Sequence, residues 1–429
     1  MLQYICQRIM KWFELLGHRI GISLCLFYPT IVPKGIAEPW KYRKLMAQSW
    51  YIKFMALRAR RKHNSHSERI KKVRYLRRQL TPPLPPDPKV NVKITSWDGV
   101  QVRLHEPTNR GSETLPGFIF FHGGGMALGS SGFQFTFSFT ELYEPLTRIL
   151  CSRLNAVVVS VDYRLAPENI FPAGYDDCLK VTKWFMKNGG RYGVDLQRVA
   201  MGGDSAGGYL TALMTQALIR EQELPNIKVQ VLIYPNVQFF DICTPSYQKC
   251  FKTFGPKNGI LPNIAVPDFM FLYMTGDSKP QDLKDALENL HVSAEFKQTA
   301  LFQKQLCVTR LIPETYREPS YFDGPVNENK GNTQLWERIR HIMTDQRFAP
   351  LLEEDFSDLP PALVQTCEFD NLRDDGVIYA QRLESAGVKV NFINYEDGFH
   401  GILNFHGDNG FKTANKMIDD IIDFTNEYL

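Results

Sequence analysis

The sequence predicts an α/β protein: a mostly parallel central sheet, helices on both faces, and a helical cap or lid inserted late in the chain. Three observations carry this. Short, β-branched apolar runs alternate with helical stretches from about residue 118 onward. Most of these runs are continuously apolar, as strands buried on both faces are. The alternation stops between about 236 and 360, a gap too long for a loop in a compact domain.

The elements follow in order. Residues 90–96 and 100–106 alternate in polarity around Asp98-Gly99 and predict a hairpin that opens the folded domain. Strands are predicted at 118–121, 156–161, 198–201, 229–234, 362–366 and 388–394, and helices at 176–187, 206–220, 375–386 and 415–428. The gap, 236–360, contains amphipathic stretches at 280–291 and 332–345 and predicts a cap over one edge of the sheet. Ahead of the hairpin, Pro82, Pro83, Pro85, Pro86 and Pro88 exclude helix and predict an extended linker over 81–89. The organisation is therefore an N-terminal basic and apolar region (1–80), the linker, and one domain (90–429).

A chain of 429 residues, 44% hydrophobic and 22% charged, excludes collagen-like, fully disordered and disulfide-scaffold classes. The net charge of +4 is unevenly spread. Between Leu57 and Gln79 stand ten Lys or Arg against Glu68, a local charge of +9 that leaves −5 for the remainder. Such a run contacts nucleic acid or anionic lipid, or is a solvated helical face. It lacks a nucleic-acid reader motif, so no nucleic-acid partner is expected. The eight cysteines show no C-x-x-C pair, which argues against structural zinc; Cys243 and Cys250 could pair in an oxidising compartment, which sequence alone does not settle. No N-x-S/T sequon occurs.

The apolar stretch 20–32 is shorter than the roughly 20 residues that span a bilayer, and Arg19, His18 and Glu14 precede it. Residues 12–28 with the basic run behind them fit the two-signal pattern of peripheral membrane anchoring; the plainer reading is a helix packed on the protein itself.

The chemistry centres on Gly203-Asp204-Ser205-Ala206-Gly207, between a predicted strand and a predicted helix. Small flanking residues permit a tight strand-to-helix turn that lifts the Ser205 hydroxyl clear of the sheet. His122-Gly123-Gly124-Gly125 follows another strand. Its glycines let backbone N–H groups approach a developing oxyanion, joined by the N–H of Ala206; His122 beside them suits an orienting hydrogen bond and Gly125 supports the turn. A serine needs a base, and the base needs an acid to fix its tautomer. Asp370 and His400 follow the strands at 362–366 and 388–394, in the chain order Ser, Asp, His. Asp374 and Asp375 compete with Asp370 but enter the next helix, and His406 competes with His400 from farther along. Phe133, Phe135, Phe137 and Phe139 line an acyl pocket or simply pack in the core. Arg164 and Glu168 read as braces beside the site.

Together these motifs resemble the arylacetamide deacetylase-like family, in the hormone-sensitive-lipase-like group of α/β-hydrolase serine esterases. The resemblance rests on His122-Gly-Gly-Gly125, Asp162-Tyr-Arg-Leu-Ala-Pro-Glu168, Phe171-Pro172-Ala173, Tyr192-Gly-Val-Asp195, Gly202-Gly-Asp-Ser-Ala-Gly-Gly208, Tyr234-Pro235, Asp370-Asn-Leu-Arg-Asp-Asp375 and Asp397-Gly-Phe-His400, which run from the hairpin to the C-terminus. It implies an α/β-hydrolase fold and catalytic roles for Ser205, Asp370 and His400. It also implies an oxyanion hole from Gly123, Gly124 and Ala206, with neither metal nor organic cofactor. The implied activity is hydrolysis of small hydrophobic esters, acylglycerols or arylacetamides among them. Family members begin with a membrane anchor facing the endoplasmic reticulum lumen, so membrane association is implied. Here the stretch is short and charged, and the basic excess behind it opposes that orientation. The alternative is a non-catalytic ligand-binding protein on the same fold.

Overall fold

The computed structural model describes residues 17–26, 30–63, 66–80, 84–111, 113–129, 140–221 and 223–429. The four alternating phenylalanines at 133–139, the first three residues of the linker and residues 12–16 and 27–29 at the apolar N-terminal stretch lie outside the described residues.

After a helical stretch over 17–25, two helices precede the hairpin, α1 (Pro39–His63) and α2 (His66–Leu80). The hairpin follows as β1 (Val90–Trp97) and β2 (Val100–Pro107), antiparallel and in register around Asp98 and Gly99. Both turn residues have positive φ, the conformation that matches the twist of the flanking strands. Then come β3 (Leu115–Phe121), α3 (Thr140–Leu154), β4 (Val157–Asp162), α4 (Ala173–Asn188), β5 (Val194–Asp204), α5 (Ala206–Leu218) and β6 (Val229–Ile233). After the insertion stand β7 (Ala362–Phe369), an α-helix over Arg373–Ser385, β8 (Val390–Phe399) and an α-helix over Lys412–Asn426.

Among the described residues the strands form one sheet in the order β1-β2-β4-β3-β5-β6-β7-β8. Every pair from β4 to β8 is parallel, and β2 joins β4 antiparallel. Two apolar clusters explain the uninterrupted strand sequences. Ile119, Phe121, Val157, Val159, Val199 and Met201 point to one face, under α4, α5 and the helix Arg373–Ser385. Phe118, Phe120, Val158, Ala200 and Val231 point to the other, under α3 and the C-terminal helix. A strand covered on both sides has no polar face to show. The helix α3 carries Pro145 within it, and the sequence reading assigned no element there.

The insertion between β6 and β7 is helical. It contains α6 (Pro245–Phe254), α7 (Ala265–Thr275), α8 (Pro280–Leu287) and α9 (Thr333–Met343), with shorter turns between. Local chemistry starts two of them. Thr244 caps α6 by accepting from the Tyr247 N–H, with Pro245 in the first turn, and Asn332 caps α9 by accepting from the Leu335 N–H. The helices after β7 and β8 are α10 (Arg373–Ser385) and α11 (Lys412–Asn426).

The front of the chain departs from the sequence reading, which set it apart from the domain. Tyr42 and Met46 of α1 are buried in the same cluster as Phe399, and the Tyr42 and Phe399 rings meet edge to face at 5.1 Å. Ile70 of α2 packs with Leu128 and with Leu272 of α7. Nor is the basic run only a solvated face. Arg69 pairs with Asp268 of α7, and Arg74 pairs with Glu168 at 2.9 Å. Apolar burial and inward-facing guanidinium groups join these helices to the domain. Among the described residues no helix is long and apolar enough to cross a membrane.

Candidate active site

The strand β5 delivers the nucleophile candidate. At its end the chain turns through Ser205, whose φ of 55° and ψ of −119° lie outside the regions a side-chain-bearing residue prefers. The turn is held because the Ser205 N–H donates to Ile233 O at 2.8 Å. It also requires glycine at 207, where an added Cβ would lie 1.9 Å from Phe121 O. The helix α5 starts immediately, so Ser205 sits at its N-terminus.

The strands β7 and β8 bring up the other two groups. His400 Nε2 lies 2.9 Å from Ser205 Oγ, and His400 Nδ1 lies 2.7 Å from Asp370 Oδ2. A carboxylate only accepts, so the proton sits on Nδ1 and leaves Nε2 free to accept from the serine hydroxyl. The other Asp370 oxygen accepts the Leu372 N–H at 2.9 Å, and Asp370 is buried. The competing residues have other work. Asp374 accepts the Ser246 N–H and pairs with Arg373. Asp375 accepts from the N–H groups of Val237 and Gln238 and from the side chains of Asn236 and Gln238. Burial pushes Asp375 up to about 7 against those bonds. Both aspartates fasten α10 to the segment after β6. His406 makes no hydrogen bond to the described residues.

The glycine turn changes one expectation. The Gly123 N–H is not free to face an oxyanion: it donates to Asp204 Oδ1 at 2.8 Å, and Gly123 is buried. The N–H groups of Gly124, Gly125 and Ala206 make no hydrogen bond to the described residues, and Gly124 and Gly125 are only partly buried. The aspartate beside Ser205 takes the first glycine's N–H and leaves the next two to face the turn. Gly124 has a φ of 118°, and a Cβ there would lie 1.8 Å from Leu128 O, so the turn excludes any other residue.

His122 is a support, as its position suggested. Its Nδ1 donates to Gly123 O at 2.8 Å, its ring stacks on Tyr163 at 4.3 Å, and the Tyr163 hydroxyl donates to His122 O at 2.6 Å. Burial drives its pKa down to about 4, so it stays neutral. A peptide unit is planar, so the bond to Gly123 O also aims the Gly124 N–H. Arg164 and Glu168 act as braces: Arg164 grips both oxygens of Asp177 at 2.8 Å, and Glu168 meets Arg74.

Sequence reasoning missed Asp204, although its place next to the serine was a signal. Burial raises it to about 6, while the Gly123 N–H, His400, the Tyr143 hydroxyl and Asn404 oppose that. Tyr143 donates to Asp204 Oδ2 at 3.1 Å. It also missed Phe269 of α7, whose ring lies where a Cβ on Gly125 would point, 2.5 Å away. Among the described residues no three His, Cys, Asp or Glu are grouped to hold a metal. Cys243 and Cys250 are buried and unpaired with each other.

A parallel sheet with a serine at the strand–helix turn, met by a histidine and an aspartate from later strands, defines a serine hydrolase arrangement. The chain belongs to the alpha/beta hydrolase fold family, whose profile matches residues 118–310 and 290–404. Within it the chain stands in the arylacetamide deacetylase-like group of ester-cleaving enzymes. It is 33% identical to arylacetamide deacetylase of Oryctolagus cuniculus, over 93% of this chain and 95% of that protein. It is 34% identical to neutral cholesterol ester hydrolase 1 of Bos taurus, over 90% and 91%. Among solved structures, an esterase of Pyrobaculum calidifontis aligns at a TM-score of 0.56 with 28% identity, covering 84% of this chain and 91% of the other. The thermostable carboxylesterase EstE1, cloned from a metagenomic library, aligns at 0.60 with 25% identity, covering 86% and 99%.

Proposed function

We propose that this protein hydrolyses hydrophobic carboxylic esters through an acyl-enzyme on Ser205. The observation that carries the reading is the pair of bonds on His400, 2.9 Å to Ser205 Oγ and 2.7 Å to Asp370 Oδ2. Ser205 Oγ attacks the acyl carbonyl while its proton passes to His400 Nε2. Asp370 stays ionised, keeps the imidazole in the productive tautomer and offsets the imidazolium charge. The N–H groups of Gly124, Gly125 and Ala206 receive the oxyanion of the tetrahedral intermediate, each worth on the order of 10²–10³ in turnover. His400 then protonates the departing alkoxide. Water repeats the sequence from the other side and releases the acid. No metal or organic cofactor takes part in these steps.

The relatives' names suggest the substrate class: arylacetamides for one, cholesterol esters for the other. Phe269 beside Gly125 supports an apolar acyl group at this position. We also propose that the N-terminal part touches a membrane surface, supported by exposed Ile20, Leu24, Trp40 and Phe54; partition into phosphatidylcholine vesicles checks this, and complete exclusion refutes it.

The test of the chemistry is hydrolysis of a short-chain nitrophenyl ester by the purified protein and by Ser205→Ala. Equal rates in both would sink the catalytic reading. Labelling by a fluorophosphonate at a residue other than Ser205 would sink the assignment.

A further inference from the structure

We propose that Arg74, on the N-terminal helix α2, is a positioning residue that aims the Gly125 N–H at the oxyanion. The proposal rests on the reading of Ser205, His400 and Asp370 given above. Arg74 belongs to the basic run, which that reading left without a role.

The side chain of Arg74 is only 11% exposed. Its three nitrogens take different partners. Nε donates to Ala127 O at 2.9 Å, Nη2 to Ala166 O at 2.6 Å, and Nη1 to both carboxylate oxygens of Glu168 at 2.9 Å. One rigid planar group therefore joins the glycine turn to the loop after β4. A lysine presents a single charged centre and cannot hold three separated acceptors in this way. The same loop also holds the turn directly, because the Ala166 N–H donates to Met126 O at 2.9 Å.

The effect on Gly125 runs through two planar peptide units. The carbonyl of Ala127 and the N–H of Leu128 share one plane. Arg74 holds the carbonyl end, and the N–H end donates to Gly124 O at 2.7 Å. The carbonyl of Gly124 and the N–H of Gly125 share the next plane. Fixing the first unit fixes the second, and with it the direction of the Gly125 N–H. His122 performs the matching service for Gly124 through Gly123 O. The two donors are thus aimed from opposite sides, one by a residue within the glycine motif and one by a helix 50 residues upstream. Neighbouring contacts keep α2 in place for this: Ile70 packs on Leu128 and Leu272, and Arg69 pairs with Asp268 of α7.

A mis-aimed donor weakens the transition state more than the ground state, so the loss belongs in kcat and in transition-state-analogue binding, with KM nearly unchanged. The experiment compares the full-length wild type with Arg74→Ala, Arg74→Lys and Glu168→Gln. It measures kcat and KM on a short-chain nitrophenyl ester and the affinity of a trifluoromethyl ketone, which forms a hemiketal oxyanion on the serine. Lys71→Ala, exposed on the same helix and paired with Glu68, is the control and should match the wild type. For Arg74→Ala, kcat and ketone affinity should each fall about tenfold, less than for outright loss of a donor, with KM within about twofold. Arg74→Lys and Glu168→Gln should show the same split at smaller size, and they carry the test if Arg74→Ala does not fold. Unchanged kcat, a loss confined to KM, or a fall in kcat without a fall in ketone affinity would each overturn the proposal. A wild type that neither hydrolyses the ester nor binds the ketone overturns the underlying reading instead.

Discussion

Asp204→Asn tests the electrostatics of the turn. The carboxyl of Asp204 is fully covered, and burial lifts its pKa from the ordinary 3.8 to about 6. In the unfolded chain it returns to the ordinary value. Between those two pH values the folded protein holds a proton that the unfolded chain has released. Stability conferred in the protonated state is therefore complete below about pH 3.8 and is lost as pH rises through about 6. A gap of about two units corresponds to roughly 3 kcal/mol, at 1.36 kcal/mol per unit. Asparagine removes the titration and keeps the main bond, since its carbonyl still accepts the Gly123 N–H. Its amide faces the Tyr143 hydroxyl, which turns to accept. Urea denaturation of both proteins from pH 4 to pH 8 measures the difference. The wild type should lose stability relative to the variant across this window, by about 3 kcal/mol in all, and the difference should be level above pH 7. A difference that is flat from pH 4 to 7, or that favours the wild type increasingly as pH rises, would refute the burial argument.

Other substitutions test other parts. Gly124→Ala puts a Cβ 1.8 Å from a backbone oxygen at a positive φ, and kcat should fall by at least about 100-fold. Gly125→Ala collides with the movable ring of Phe269, so the double variant with Phe269→Ala should recover part of the lost kcat; additive losses would show that the ring is not the obstacle. Asp370→Asn should lower kcat by on the order of 10⁴ with little change in Tm, because the imidazole then takes the wrong tautomer; single-turnover acylation checks this. Trp97, buried and stacked on Trp184 at 4.3 Å, should cost about 3–5 kcal/mol when replaced by alanine, read by urea denaturation, with kcat/KM unchanged in the folded protein.

The strands were legible because burial on both faces leaves a run such as Phe118 to Phe121 wholly apolar, a one-dimensional signal. Ser205, Asp370 and His400, which the structure brings together, stood out for a related reason: each follows a strand that could be seen. Direction was not legible. Nothing in the spacing of three glycines says which N–H a neighbouring carboxylate will take, and here Asp204 takes that of Gly123. The same holds for the basic run. Lysine and arginine on a helix read as surface, and only tertiary contact reveals that Arg69 and Arg74 turn inward. The helix α3 was missed because Pro145 interrupts its sequence pattern, although the fold accommodates it.

The order of strands has a consequence for the newborn chain. Ser205 emerges from the ribosome at the end of β5, near the middle of the sheet, whereas Asp370 and His400 follow β7 and β8 at its far edge. Domains assemble as the chain is made, N-terminal parts first. Until the chain has passed β8, Ser205 and His400 cannot meet. On the proposed reading the chemistry therefore waits for β8, the edge strand of the sheet, and a fragment that stops short of it is chemically silent.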